Sequence, residues 1–514
     1  MATPAAPLSL IAADPPGARS DTAAPAARTR GLLTSVAVLV IALALALAFV
    51  ITRRGPWFDE FFTLYVTSRG EGFVTALTAH WLPDNHPPLY YALVDLTGWL
   101  GPTVEARRWV NGLIGLVALG GGIAAARSGS PRLRFLAALY FAGLAAQPML
   151  VIYAAELRSY FLSLTAVAVL VLALVREYLE PGQGGRWARL PLWVGAAVAF
   201  NTHIATTLIT GAMIGSFLLV ALLRRRLDFV RTVLPAALPG GLLFLAVTAV
   251  QAQQWEANTR VFWIAPGLVA ARWAIEMTFL AACKANPVLL AGGLAGLTLM
   301  ALTAWRGQAR PALACVAALG LTAALSLAAI LAIHLAIRPF VIGRYLIALV
   351  PVLAMVLALG LAELAGDRPA RRSAVMVLAV AASLVALWGN ARETVTRRSW
   401  TGTSTAIAEE VRRCRGTVVH QDPVWNAELT ALPPADNRAV PPFAYALMAK
   451  RHGFTIEPSA SRRVSRSCPT VFWTEHSPAP TPSAFLARLR ATGYPFSGVS
   501  VRVIEDGWLG YGLR

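Results

Sequence analysis

GLLTSVAVLVIALALALAFVITRRGPWFDE, residues 31–60, joins 21 uncharged residues to a polar exit that ends on Asp59 and Glu60. A bilayer core is crossed by roughly 20 apolar residues, so the run 31–51 is long enough to span. It is longer than the core of a secretory signal, and it follows an Ala/Pro-rich leader of 30 residues instead of a short basic one. The stretch predicts a retained first membrane helix, with residues 1–30 a disordered leader on the cytoplasmic side.

The rest of the chain repeats that pattern. Of its 514 residues, 57% are hydrophobic and 14% charged, and the mean hydropathy is +0.59. Too little polar surface remains to cover a soluble globule. Further apolar runs at 109–126, 135–153, 160–175, 190–200, 206–223, 233–250, 287–304, 311–337, 341–364 and 374–388 bring the predicted spans to about eleven. The fold class is an α-helical polytopic membrane protein.

A net charge of +19 raises nucleic-acid binding as a possibility, but the arginines sit in short loops at 28–30, 127–134, 176–189, 224–231, 306–310 and 368–372. All of these fall on one side if the runs alternate, and the positive-inside rule makes that side the cytoplasm. Membrane orientation therefore accounts for the charge, and no nucleic-acid partner is implied.

The opposite, periplasmic side receives the loop 52–108, the turns near Glu156 and His203, the loop 251–286, the turn 338–344 and everything after Asn390. A first loop of this length exceeds a simple connection, and amphipathic stretches at 61–66 and 89–100 predict helices lying along the membrane surface. Residues 31–390 thus form the membrane domain. Beyond them, helix-like stretches (403–413, 442–451, 483–491) alternate with strand-like ones (417–420, 471–474, 499–504), which predicts a small soluble α/β domain over 391–514. Cys283 and Cys315 fall in or near the membrane part, where a thiol is ordinary packing. Cys414 and Cys468 share an oxidising compartment and are candidates for a disulfide, the alternative being two separately buried thiols.

The candidate chemistry gathers on the periplasmic side. Asp59 and Glu60 follow a proline and two aromatics just beyond the first helix. Adjacent carboxylates there make interfacial salt bridges with Arg53 or Arg54, or else, partly desolvated, take a proton from a hydroxyl nucleophile. His86-Pro87-Pro88-Leu89-Tyr90-Tyr91 has a stiff backbone that suits a positioned donor, or simply a helix N-terminus with an aromatic belt. Glu156 and Arg158 are two residues apart, so they cannot share a helix face and must find partners on other helices. Arg338, Arg344 and Tyr345 lie at another periplasmic helix start, and Asn201-Thr202-His203 forms a tight turn. Arginines at such a rim are phosphate ligands or snorkel toward lipid head groups. The chain has no Walker-type loop, and Gly120-Gly121-Gly122 falls inside a helix, where close packing explains it. Nothing has zinc-site spacing.

Taken in order, Asp59-Glu60, the His86 to Tyr91 segment, Arg108, Glu156-x-Arg158-x-Tyr160, Thr202-His203 and Arg344-Tyr345 with the following Pro351 resemble the GT-C superfamily of membrane glycosyltransferases. The likeness is to the group of protein O-mannosyltransferases and lipid A aminoarabinose transferases, and it covers residues 31–364. The resemblance implies a polyprenyl-phosphate sugar donor, a hydroxyl acceptor on a glycan, lipid or protein, and reaction at the periplasmic face of the bacterial inner membrane. It makes Asp59 the general base of an inverting transfer and Glu60 its helper. His86, Arg158 and Arg344 would hold the departing phosphate, with Tyr90, Arg108, Glu156, Tyr160, His203, Arg338 and Tyr345 as further substrate-binding residues. No cofactor is implied. His86 before Pro-Pro follows the mannosyltransferases, whereas the tail lacks their β-trefoil pattern. The competing classes are a transporter or flippase of anionic lipid-linked glycans, and an inactive scaffold that binds them.

Overall fold

The computed structural model describes residues 23–513 apart from 184, 259–263, 309, 422–433, 459, 476–480, 492, 495, 497 and 506. Most of the expected leader, residues 1–22, therefore lies outside the described residues. The first helix, α1 (Ala23–Arg53), starts eight residues ahead of Gly31. After it come α2 (Phe58–Thr67) and α3 (Leu89–Leu96) in the first loop, then α4 (Trp109–Arg127), α5 (Pro131–Ala145), α6 (Pro148–Ala154), α7 (Tyr160–Leu179), α8 (Gly185–Phe200), α9 (Ile204–Leu223) and α10 (Leu227–Asn258). The bundle is completed by α11 (Leu268–Lys284), α12 (Pro287–Trp305), α13 (Pro311–Ala336), α14 (Leu349–Ala365) and α15 (Pro369–Val395).

Among the described residues, eight helices are long and apolar enough to cross a membrane. The pair α5–α6 makes a ninth, broken span, and Trp187–Phe200 and Leu349–Ala365 are shorter apolar helices. Counting all of these reproduces the eleven apolar runs, but two of them and one expected loop differ from the sequence reading. The run 135–153 bends by 65° between α5 and α6. Pro148 lacks an N–H and forces the preceding Gln147 into an extended conformation (φ −71°, ψ 127°). The run 341–364 becomes helical only at Leu349, with Pro351 accommodated in the first turn, and this leaves Arg344 in a separate 3₁₀ turn (Gly343–Leu346). Lastly, the expected loop 251–286 contains the end of α10 and all of α11.

At the arginine-loop end, Glu363 receives both Arg132 (2.6 Å) and Arg310, and Arg176 and Arg189 pair with Glu177. Asp59, Glu60 and Glu156 collect at the opposite end with Arg54, Arg108, Arg158 and Arg344.

The C-terminal part comprises α16 (Thr401–Arg413), α17 (Asp436–His452), α18 (Pro482–Ala491) and a four-stranded sheet of β1 (Val418–Gln421), β2 (Thr470–Glu475), β3 (Gly498–Ile504) and β4 (Gly507–Leu513). The strand order is β1-β2-β4-β3, with β1 parallel to β2 and the other pairs antiparallel. β4 escapes the sequence reading because three glycines dilute its strand signal. Gly510 and Gly512 are there because a side chain would strike Leu489 and Phe496 respectively. Cys414 and Cys468 are joined, with Cα atoms 5.8 Å apart, closing the loop that carries α17.

This part does not stand apart from the first loop. Trp400 packs at 5.0 Å from Phe61 of α2 and 4.9 Å from Tyr445 of α17, and Tyr445 packs at 4.7 Å from Trp473 of β2 (ring centroids). One buried cluster thus runs from α2 and α3 into the sheet. Gly55 is needed at its edge, where a Cβ would collide with Ser399 and Thr401, and Trp400 N–H donates to the Pro56 carbonyl at 3.0 Å. The apolar core therefore fixes the helix that carries Asp59 from both sides.

Candidate active site

Arg53-Arg54-Gly55-Pro56 ends α1, and α2 begins one residue after Trp57 with both acids in its first turn, where the helix dipole favours negative charge. The two acids then part company. Glu60 is fully buried and accepts from Arg108 Nε on Oε1 and Arg108 Nη2 on Oε2, both at 2.6 Å. Leu157 N–H (2.7 Å) and Trp57 N–H (3.2 Å) complete its shell. Arg108 is equally enclosed and donates its remaining N–H groups to the carbonyls of Arg54 (2.6 Å), Gly55 (3.2 Å) and Ile51 (3.4 Å). The expected helper and the expected substrate ligand thus satisfy each other. Their geometry is that of a bidentate tether between the α1 exit, α2 and the α6–α7 turn.

Asp59 points the other way. Its carboxylate keeps 22% exposure and takes Arg344 Nη1 at 3.3 Å. The Arg344 guanidinium also lies over the rings of Trp57 (5.6 Å) and Tyr160 (5.7 Å). Burial alone would lower its pKa, but Tyr160 and Asp59 outweigh burial and hold it above its ordinary value. Arg158, from the α6–α7 turn, is held up in the same way, with Asp59 the strongest of the groups that oppose burial. Both arginines remain cations.

Arg158 also meets the Pro-Pro segment. Its Nη2 lies 3.3 Å from His86 Nε2 and its Nη1 lies 3.5 Å from Thr63 Oγ1. The His86 ring is 5.4 Å from that of His203, which is 4.6 Å from Tyr345 and 5.6 Å from Tyr160. His203 caps α9 by accepting Ala205 N–H on Nδ1 (3.2 Å), so its own proton is on Nε2. Burial, helped by the charges of Arg158 and Arg344, pushes its pKa well below the ordinary histidine value and keeps it neutral at pH 7.

Other expected residues stand behind this surface. Glu156 pairs with Arg54 at 2.7 Å, and burial keeps its carboxyl above the usual range despite that partner. Tyr90 donates to Asn111 Oδ1 (3.1 Å). Asn111 in turn donates to the carbonyls of Ala154 (3.1 Å) and Glu156 (2.7 Å) at the break before α7, the second of which also accepts Arg158 N–H (2.8 Å). Tyr90, Glu156 and Arg108, which the resemblance made substrate ligands, thus direct these polar groups at partners within the protein. Arg338 is half-buried in the segment that leads to Arg344.

Sequence reasoning missed Asp84, Asn111 and Gln251. Asp84 binds His86 Nδ1 at 2.8 Å and the Tyr91 hydroxyl at 2.6 Å. Its one signal was the spacing Asp84-x-His86, and Gln251's was an amide at the end of an apolar run. Among the described residues no group of three or more His, Cys, Asp or Glu is placed to hold a metal ion.

Beside the site an apolar cleft of about 1090 Å³ runs between α1, α4, α5, α7 and α15, lined by Leu43, Leu47, Ile51, Trp109, Leu116 and Phe161 among others. Its wall follows α1 from Gly31 to Ile51. At about 1.5 Å per residue that is roughly 30 Å, the depth of a bilayer core.

No family model and no curated protein matches the sequence. The fold does have counterparts. ArnT from Cupriavidus metallidurans in the apo state superimposes with a TM-score of 0.53 at 15% identity, covering 93% of this chain and 98% of that one. The same protein bound to undecaprenyl phosphate gives 0.51 at 15% identity, with coverages of 93% and 97%. The arabinosyltransferase EmbB from Mycobacterium smegmatis gives 0.39 at 17% identity over 64% of this chain and 30% of that one. In fold, this polytopic chain with its small strand-bearing C-terminal part is similar to ArnT over almost the whole length of both chains.

Proposed function

We propose that the protein is an inverting glycosyltransferase of the bacterial inner membrane. It moves a sugar from a polyprenyl-phosphate donor to a hydroxyl of a glycan, lipid or protein at the periplasmic face. The observation that carries this reading is the partly open Asp59 carboxylate facing Arg344, with Arg158 and His86 behind it. A base and a cationic cradle on one crevice are what displacement at a phosphate-bearing anomeric carbon requires.

In that reaction Asp59 takes the acceptor's hydroxyl proton as the oxygen bonds to the anomeric carbon from the face opposite the phosphate. The bond from that carbon to the phosphate oxygen breaks, and its electron pair leaves with the polyprenyl phosphate. Arg158, Arg344 and His86 stabilise the charge that grows there, and protonating so good a leaving group is unnecessary. The donor phosphate competes with Asp59 for Arg344, so that donor binding loosens the resting ion pair and exposes the base. Glu60 and Arg108 hold α2 in place, and the apolar cleft suits an isoprenoid tail. ArnT's complex with undecaprenyl phosphate supports a donor of this class.

The direct test is chemical. Lipid-linked and surface glycans of a strain lacking the protein are expected to lack a single sugar present in the wild type. Loss of surface glycan with complete lipid-linked glycans accumulating on the cytoplasmic side would instead mark a flippase.

A further inference from the structure

The strap between Trp81 and α3 holds a carboxylate that the transfer step does not touch. Asp84 is 8% exposed, and its Oδ2 accepts from the Tyr91 hydroxyl (2.6 Å), His86 Nδ1 (2.8 Å) and, more weakly, His86 N–H (3.4 Å). Two side chains from the end of α10 clamp the strap. Gln251 Nε2 donates to the carbonyls of Leu82 (3.3 Å), Asp84 (2.9 Å) and His86 (3.0 Å), and Asn258 Nδ2 donates to Pro83 (2.7 Å). The Asp84–His86 geometry is thereby set from outside the strap.

This arrangement decides which atom of His86 meets a ligand. Nδ1 carries the proton it donates to Asp84, so in the neutral ring Nε2 is an acceptor, and it faces Arg158 Nη2 at 3.3 Å. The contact cannot persist unchanged with a phosphate between the two side chains. An oxyanion docking on Arg158 would meet the Nε2 lone pair, and the repulsion disappears when Nε2 takes a proton.

The groups facing the ring are Asp84 with the Tyr91 hydroxyl behind it, Arg158 across from it, and neutral His203 beside it. Arg158 opposes a charged ring, whereas Asp84 favours one. Burial pushes the Asp84 carboxyl up, but His86, Tyr91 and Arg158 hold it down at about 2, so it is an anion throughout the neutral range.

We infer that Asp84 is a positioning residue that lets His86 take up one proton from solvent when an anionic phosphate docks between His86 and Arg158. An Arg-to-His contact becomes two donors on one oxyanion. The only bond formed is Nε2–H, from a buffer proton. This inference rests on reading the crevice as the donor-phosphate site. Because the complex then holds more protons than the free protein, the His86 contribution to affinity weakens as pH rises.

The test uses the full-length protein in lipid nanodiscs with undecaprenyl phosphate as probe. Calorimetry at about pH 7.5, in buffers of different ionisation enthalpy, counts protons bound per ligand. The wild type is expected to take up about one proton more than His86→Gln. Asp84→Asn, whose amide oxygen still accepts from Nδ1–H and Tyr91, is expected to match His86→Gln. Equal counts in wild type and His86→Gln overturn the inference, and so does an Asp84→Asn protein that is less stable but keeps the wild-type count. If the lipid still binds in those cases and weakens about tenfold or more with Arg158→Gln, the phosphate site itself survives. Binding that neither Arg158→Gln nor Arg344→Gln weakens overturns both readings. Should Asp84→Asn fail to fold, the comparison of wild type with His86→Gln decides alone.

Discussion

Asp59→Asn is expected to slow sugar transfer by about 10²- to 10⁴-fold, the contribution of a positioned general base. The substitution keeps the shape of the side chain and an oxygen that accepts from Arg344 at the present 3.3 Å, so the fold is expected to be retained. Thermal unfolding in nanodiscs should therefore coincide with the wild type, and binding of undecaprenyl phosphate should hold or tighten, because Arg344 no longer answers to a carboxylate. The measurement is initial-rate transfer to acceptor beside a melting curve. Transfer at the wild-type rate would remove Asp59 from the role of base.

Its neighbour is expected to behave in the opposite way. Glu60→Gln leaves Arg108 fully buried without its counter-charge, and breaking such a pair costs about 3–5 kcal/mol. The loss should be read as a lower melting temperature and less folded protein, with the surviving fraction transferring sugar at a near-normal rate. Replacing both partners, as Glu60→Leu with Arg108→Met, should recover part of the stability, since no unpaired charge remains. A Glu60→Gln protein that melts like the wild type but transfers slowly would place Glu60 in the chemistry itself.

The contrast between adjacent acids shows what a sequence displays and what it hides. Asp59, His86, Arg158 and Arg344 could be grouped because each lies at the same end of alternating apolar runs, and topology alone brings such ends together. Which acid meets Arg344 and which meets Arg108 could not be read. A helix turns about 100° per residue, and only the position of Arg108, 48 residues away, shows that Glu60 faces inward.

Likewise, the bend before Pro148 and the late start of α14 were visible as prolines. Their consequence, a broken span whose carbonyls turn toward Asn111 and a 3₁₀ turn that presents Arg344, depends on contacts across the bundle. Asp84 stood two residues before His86 in plain view. Its importance comes from Gln251 and Asn258, which clamp that strap from more than 160 residues downstream. The C-terminal part was legible as an α/β unit but not as a packing partner of α2, because Trp400 and Tyr445 carry no pattern that names Phe61 as their neighbour.

The most direct test of the account is a cryo-EM structure of the protein with undecaprenyl phosphate bound. The account predicts the phosphate within hydrogen-bond reach of Arg158, His86 and Arg344, the tail entering the apolar cleft, and Asp59 released toward the open side of the crevice. A phosphate bound at the arginine-loop end, or one that leaves the Asp59–Arg344 pair intact and distant, would contradict it.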